Sequence, residues 1–240
     1  MSYEKTRTDG GVALKPAFLE GELSPAEAVA LQLELAGKVV PEDGFSGMPL
    51  SVAGVDVSIR KSPGGDRAIA CIAVMEWGTW RVLSVAVAED RVRFPYIPGL
   101  LSFRELPVIL KAAERLSEWP GLFMVDGAGM AHPRFFGLAC HLGVVSGCPS
   151  VGVAKSRLVG THDPLPEARG SRVPLLVGGR VAGTVLRSRS GVRPLYVSPG
   201  HLVSLKTSAN LVLASCTRFR LPEPVRAAHK LAGDQNLLYS

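Results

Sequence analysis

The chain has 240 residues, 47% of them hydrophobic and 20% charged, enough for one substantial core and typical of a globular protein. Its formal charge of +6 favours anionic partners, with nucleic acid ahead of acidic small molecules. No apolar run is long enough to span a bilayer and Met1–Gly10 lacks the apolar core of a signal peptide, so the expectation is a cytoplasmic protein with no membrane partner.

Residues 1–15 read as a frayed terminus. Ser24-Pro25-Ala26-Glu27 is a helix start: the serine caps, the proline fits the first turn and the glutamate completes a capping box. Ala28, Leu31, Leu35 and Val39 supply its apolar stripe. Three strands follow, Ser51 to Arg60, Ala68 to Met75 and Trp80 to Glu89, joined by short turns at Lys61–Asp66 and Gly78-Thr79. Such turns imply an antiparallel meander. A helix is expected over Phe103–Trp119, with Pro107 suggesting a start near Arg104 or Glu105. A strand at Leu122–Val125, a helix at Phe135–Val145 and a strand at Ser150–Ala154 come next. Arg157–Arg172 reads as loop, and Leu175–Val177, Val181–Arg187 and Leu195–Val197 as strands, with a hairpin turn at Gly178-Gly179. Helices at Ser204–Ser215 and Pro224–Ala232 close the chain. This order predicts a single α/β domain over residues 1–240, a central mixed β-sheet flanked by helices. Cys71, Cys140, Cys148 and Cys216 form no CxxC pair and read as free thiols, with a Cys140–Cys148 disulfide left open.

Two strands carry acids. Asp56 stands among Val52, Val55, Val57 and Ile59, where an ionised carboxylate needs a cation, a metal or water. Asp126 closes Leu122–Val125 and is followed by glycines. Two strand-borne acids on a basic chain point to a divalent metal held against a phosphate, or to a turn cap and a distant ion pair. Glu105, on the first turn of a helix, is either a third metal-site acid or a partner of the helix N-terminus. Pro95-Tyr96-Ile97-Pro98-Gly99 is a stiff loop whose tyrosine could enter a base stack or lie buried with its hydroxyl bonded. In Asp126-Gly127-Ala128-Gly129-Met130-Ala131-His132, glycines allow a ligand close to the backbone, and His132 serves a phosphate or caps the next helix. Lys155 follows a strand and could neutralise phosphate. Ser198 and His201 fit nucleic-acid contacts or a turn, and His229 a site or a surface role. A nucleophile elbow and a phosphate-binding P-loop are both missing.

Five of these stretches, in order, resemble the endonuclease V (deoxyinosine 3′ endonuclease) family: Val52–Ser58, Phe94–Glu105, Asp126–His132, Gly152–Leu158 and Ser198–His201. The resemblance implies a ribonuclease H-like fold. It also implies Mg2+-dependent cleavage, with Mn2+ substituting, of the second phosphodiester 3′ to a deaminated base, chiefly deoxyinosine, leaving 3′-hydroxyl and 5′-phosphate. It assigns Asp56, Asp126 and Glu105 to the metal, and His132 and Lys155 with them to catalysis. Tyr96, Ile97, Pro98, Gly99, Gly127 and His229 are the expected DNA contacts, Tyr96 as the wedge. DNA with deaminated bases is the expected partner, inosine-containing RNA a further one, and the protein a monomer. Ala128 departs from the polar residue common in the family, which puts base preference and rate in question. A nucleic-acid-binding protein that has lost catalysis, and an RNA-directed or structure-specific nuclease, are the alternatives.

Overall fold

A computed structural model describes residues 6–8, 11–13 and 23–233. Thr6–Thr8 (β1) and Gly11–Ala13 (β2) pair antiparallel inside the stretch expected to be frayed, and the rest of residues 1–15 lies outside the described residues. Helix α1 (Pro25–Ala36) starts as its sequence dictates: Ser24 Oγ accepts the Glu27 N–H at 3.3 Å, and the Glu27 carboxylate accepts the Ser24 N–H at 2.9 Å. Strands β3 (Ser51–Arg60), β4 (Arg67–Glu76) and β5 (Val82–Arg91) form the expected meander. They are followed by α2 (Leu101–Ala113), β6 (Phe123–Val125), α3 (Leu138–Ser146) and β7 (Ser150–Ala154). Then come β8 (Arg172–Val177), β9 (Arg180–Leu186), β10 (Leu195–His201), α4 (Leu205–Ser215) and α5 (Glu223–Gly233).

Eight strands form one mixed sheet in the order β5-β4-β3-β6-β7-β10-β9-β8. The pairs β3·β6 and β6·β7 are parallel and the others antiparallel. Helices cover both faces. Ala53, Val55, Ile72, Phe123 and Val125 pack with Leu106, Ile109 and Leu142 of α2 and α3. Val52, Met124, Val151, Val153 and Val197 pack with Leu211, Val212 and Val225 of α4 and α5.

Several element ends differ from expectation for local reasons. Helix α2 begins at Leu101 and carries Pro107 inside it, and it ends at Ala113 rather than Trp119. Its last turn tightens, with Arg115 and Leu116 donating to carbonyls three residues back, and Trp119 stacks edge-on against Phe123 at 5.6 Å. Helix α3 starts three residues after Phe135, whose φ of +53° is left-handed and cannot belong to it. Trp80, with φ +57°, stays in the turn before β5. Pro174 falls in β8, an edge strand that tolerates a missing N–H. Strand β10 runs on through Pro199 to His201 across a register shift. All four cysteines are free and buried, so Cys140 and Cys148 form no disulfide.

Side chains alternate across a strand, so Gly54, Asp56 and Ser58 share the face of β3 that α5 covers. A Cβ on Gly54 would lie 1.9 Å from the Pro224 carbonyl oxygen, and only glycine admits the helix this close. Ser58 Oγ donates to the Ala232 carbonyl at 3.2 Å. Helix α5 therefore runs along β3 with Asp56 beneath it. Strand β6 pairs with β3 only over Ala53–Val55 and then stops, while β3 continues to Arg60. A notch is left in the sheet beside Asp56, open to groups from both faces.

Candidate metal centre and active site

Asp126 is the first residue beyond β6, and its N–H donates to the Val55 carbonyl at 2.9 Å. Register therefore sets it beside Asp56. From α5, His229 Nδ1 reaches Asp56 Oδ2 at 2.7 Å. Asp56, Asp126 and His229 each offer one ligand atom, all within 4.8 Å of one another. Lys155, just past β7, places Nζ 2.5 Å from Asp126 Oδ2 and 3.5 Å from His229 Nδ1. Glu105 enters from α2, on the opposite face of the sheet. It joins these four, with Leu101 and Ser58, around an open cavity of about 420 Å³. The two aspartate side chains are 11% and 14% exposed, so water screens their mutual repulsion poorly.

That repulsion is visible in the proton affinities. Burial, then the charges of Asp56 and Asp126, push the Glu105 carboxyl up to about 8 against the pull of Arg104. Asp126 is also raised, by burial first and by Asp56, although Lys155 opposes the shift. Two lysine- and arginine-borne charges thus leave the acids undercompensated. Carboxylate oxygens crowded against one imidazole, beside open space, suit a hard divalent cation.

The endonuclease V family model matches residues 33–230. The chain belongs to the endonuclease V family. It is 52% identical over 215 residues to the endonuclease V of Azotobacter vinelandii, covering 90% of this chain and 96% of that protein. The crystal structure of the Streptomyces avermitilis endonuclease V superposes with a TM-score of 0.84 at 41% identity, covering 91% of this chain and 95% of that one. The Ciona intestinalis endonuclease V, solved with a 24mer DNA containing an inosine followed by a ribo-adenosine, superposes at 0.77 with 27% identity, covering 90% and 98%. These relatives confirm the ribonuclease H-like α/β fold, and family membership together with the Asp–Asp–His cluster is consistent with a catalytic site.

Of the expected catalytic residues, Asp56, Glu105, Asp126 and Lys155 share the cavity. His229, expected among the DNA contacts and read also as a candidate site residue, lies beside the acids. His132 is elsewhere. It is 4% exposed, its Nδ1 accepts the Arg134 N–H at 3.2 Å, and its Nε2 lies 3.0 Å from the Gly99 carbonyl oxygen. Burial and the Arg134 charge push its pKa down to about 4, so the ring is neutral. Tyr96 is 69% exposed and Pro98 exposed, while Ile97 packs against Phe94, Leu100 and Phe103. Gly127 and Ala128 are half-buried, and the Ala128 carbonyl accepts the Ala139 N–H. Ser198 and His201 have turn-holding roles: Ser198 Oγ accepts the Gly129 N–H, and His201 Nδ1 the Val40 N–H.

Sequence reasoning missed Arg220 and Gln32. Arg220 Nη2 donates to the Lys155 carbonyl at 2.6 Å and to that of Pro194 at 2.7 Å, fixing the backbone that carries Lys155. Gln32 is wholly buried on α1. Neither stands in a motif. Arg220 is revealed by its distant carbonyl partners, and Gln32 could have been found from its place on the apolar face of α1 with Ala28 and Leu35.

Proposed function

We propose that this member of the endonuclease V family is a Mg2+-dependent DNA repair nuclease. It hydrolyses the second phosphodiester bond 3′ to a deaminated base, chiefly deoxyinosine, and leaves 3′-hydroxyl and 5′-phosphate ends. The supporting observation is the convergence of Asp56, Asp126, Glu105, Lys155 and His229 on one open cavity. Asp56 and Asp126 would hold the ion directly, with Glu105 completing the acidic shell. When bound, a divalent ion polarises the phosphate and makes a bound water more acidic.

The chain's own groups supply the rest. The Lys155 ammonium, held by Asp126, offsets negative charge growing on the phosphate as water adds. Asp56 orients the His229 ring through Nδ1, leaving Nε2 to exchange a proton with the attacking water or the departing 3′ oxygen. The P–O3′ bond breaks with its electron pair on oxygen, and protonation gives the 3′-hydroxyl. Tyr96, exposed on its proline-braced loop, contacts the DNA beside the lesion, and Ile97, Pro98, Gly99 and, beyond β6, Gly127 are assigned to the same DNA. The Ciona relative carries inosine-containing DNA, which supports this substrate class. Every acid of the cluster is present here, so Ala128 bears on base preference rather than on the capacity to cut.

The test uses matched inosine, uracil and undamaged oligonucleotides, as DNA and as RNA, with Mg2+, Mn2+ or chelator. Inosine-dependent nicking one nucleotide beyond the lesion's own 3′ linkage is expected. Asp56→Ala should abolish it while the circular dichroism spectrum and cooperative melting persist. Full activity of that variant would remove Asp56 from the mechanism, and preferential RNA cleavage would reassign the substrate.

A further inference from the structure

Gly99 ends the Tyr96 loop with φ +79°, and its carbonyl is a meeting point for three side chains from two distant segments. Gln32 Nε2 lies 3.1 Å from the oxygen, Arg134 Nη2 2.7 Å and His132 Nε2 3.0 Å. The His132 tautomer follows from its other nitrogen. The Arg134 backbone N–H can only donate, so Nδ1 accepts, and the ring proton sits on Nε2 and points at Gly99. Gln32 uses both of its donors and its acceptor here: Nε2 also donates to the Phe136 carbonyl at 2.8 Å, and Oε1 accepts from Arg134 Nε. A substituent on Gly99 would meet Arg134 Nη2 at 2.9 Å, so the glycine is what allows the guanidinium to close in.

The loop needs such anchoring. Pro95, Tyr96 and Pro98 are exposed, and Ile97 alone of the four packs into a cluster, beside Phe94, Leu100 and Phe103. A loop that presents an exposed tyrosine to a ligand gains affinity when its conformation is set before binding. We infer that Gln32, acting with Arg134 and His132, is a positioning residue that presets the Tyr96 loop for the lesion by fixing the Gly99 carbonyl. The inference rests on the reading of Tyr96 as the lesion contact. It also gives His132 a positioning task in place of a catalytic one, since both its ring nitrogens are already engaged.

The test is a double-mutant cycle between Gln32→Met and Tyr96→Ala, read on inosine-containing duplex. Methionine keeps the length and burial of Gln32 and removes its donors and acceptor. For Gln32→Met alone, KM should rise about tenfold with kcat within about twofold, as expected from losing one to two net hydrogen bonds. Combined with Tyr96→Ala, the same change should shift KM by less than about twofold. Hydrogen exchange at the amides of residues 97, 99 and 100 should be faster in Gln32→Met, a readout that needs no substrate. An unchanged KM, an equal KM effect in the Tyr96→Ala background, or unchanged exchange would overturn the assignment. If Gln32→Met fails to fold, Arg134→Lys enters the same cycle with the same expectations, since it loses the bonds to Gly99 and Gln32 at a half-buried site. Wild-type protein that leaves inosine DNA uncut would refute the proposed function. Faster exchange in the variant would then still show that the anchoring is real and only its ligand misassigned.

Discussion

Substituting Gly54 by alanine separates the packing of α5 from the identity of the acids. The added Cβ would lie 1.9 Å from the Pro224 carbonyl oxygen, 2.1 Å from its carbon and 2.6 Å from the Val225 nitrogen. All are backbone atoms, so no side chain can swing aside. The helix must retreat by about 1.5 Å to restore ordinary contact distances. His229 sits just over one turn beyond Val225 on the same helix and must move with it, lengthening its 2.7 Å bond to Asp56. Overpacking of this kind costs about 1–3 kcal/mol, or roughly 2–12 °C in Tm for a chain of this size. A displacement near 1 Å in a catalytic group costs about 100-fold in rate. Gly54→Ala should therefore melt lower yet cooperatively, and well below its Tm should nick inosine DNA about 100-fold more slowly. Adding His229→Ala should cost the double variant little more than either change alone, because both act on one contact. Nicking within twofold of wild type, in a protein whose Tm has fallen, would refute a catalytic use of the His229–Asp56 contact.

Two further outcomes follow from the proton affinities. The Glu105 carboxyl is raised from an ordinary 4.5 to about 8, so between those pH values the folded protein binds a proton that the unfolded chain releases. Stability in chelator should fall as pH rises through that window, and Glu105→Gln should remove the loss, raising Tm at pH 8 by about 4–8 °C for a term of order 2 kcal/mol. Equal Tm-against-pH curves for the two proteins would show that Glu105 is not held protonated. His141 is buried between Phe103 and Phe136, and burial pushes its pKa down to about 3. Its contribution to stability is intact above about 6.5 and is lost as pH falls below, by up to about 1.4 kcal/mol per pH unit. Urea titrations of His141→Gln should show a shallower acid limb between pH 6 and 4, and an unchanged slope would place the acid sensitivity elsewhere.

The acids were legible because a carboxylate inside a run of branched residues has few explanations, and because the alternation of β3 and β6 assigns faces without coordinates. His229 was not legible as their partner. It lies 173 residues from Asp56, and its role depends on where α5 settles. A weak trace of that docking does exist in the strand: Gly54 and Ser58 flank Asp56 on one face, both small, as a close approach requires. The left-handed Phe135 gave no such trace. It belongs to an apolar run that reads as helix, and tertiary contacts override the pattern. Gln32, four residues after Ala28 and three before Leu35, falls on the apolar face of α1, a polar residue at a core position, but only the folded chain shows the carbonyl 67 residues away that satisfies it.

The recognition loop and the acid cluster meet through α2. Gly99 is followed directly by Leu100, whose N–H closes a turn onto the Ile97 carbonyl, and the helix begins at the next residue. Leu101 lines the cavity, and Glu105 lies one turn further along. Gly99 thus joins the Tyr96 loop directly to the first turn of the helix that brings Glu105 to the two aspartates. The pull of α1 and of the His132–Arg134 segment on this one oxygen sets the aim of Tyr96, while Glu105, further along, is held by the packing of Leu106 and Ile109 against the sheet. The Tyr96 loop therefore has a short covalent route to Glu105, whose carboxyl is raised by burial first and then by the charges of Asp56 and Asp126. Because Glu105 carries its proton most readily when Asp56 and Asp126 are charged and uncompensated, its ionisation and the arrival of a cation favour one another. The fold accordingly tolerates a cluster of like charges by holding it with contacts made outside the cavity: Gly54 under α5 and Arg220 on the Lys155 backbone.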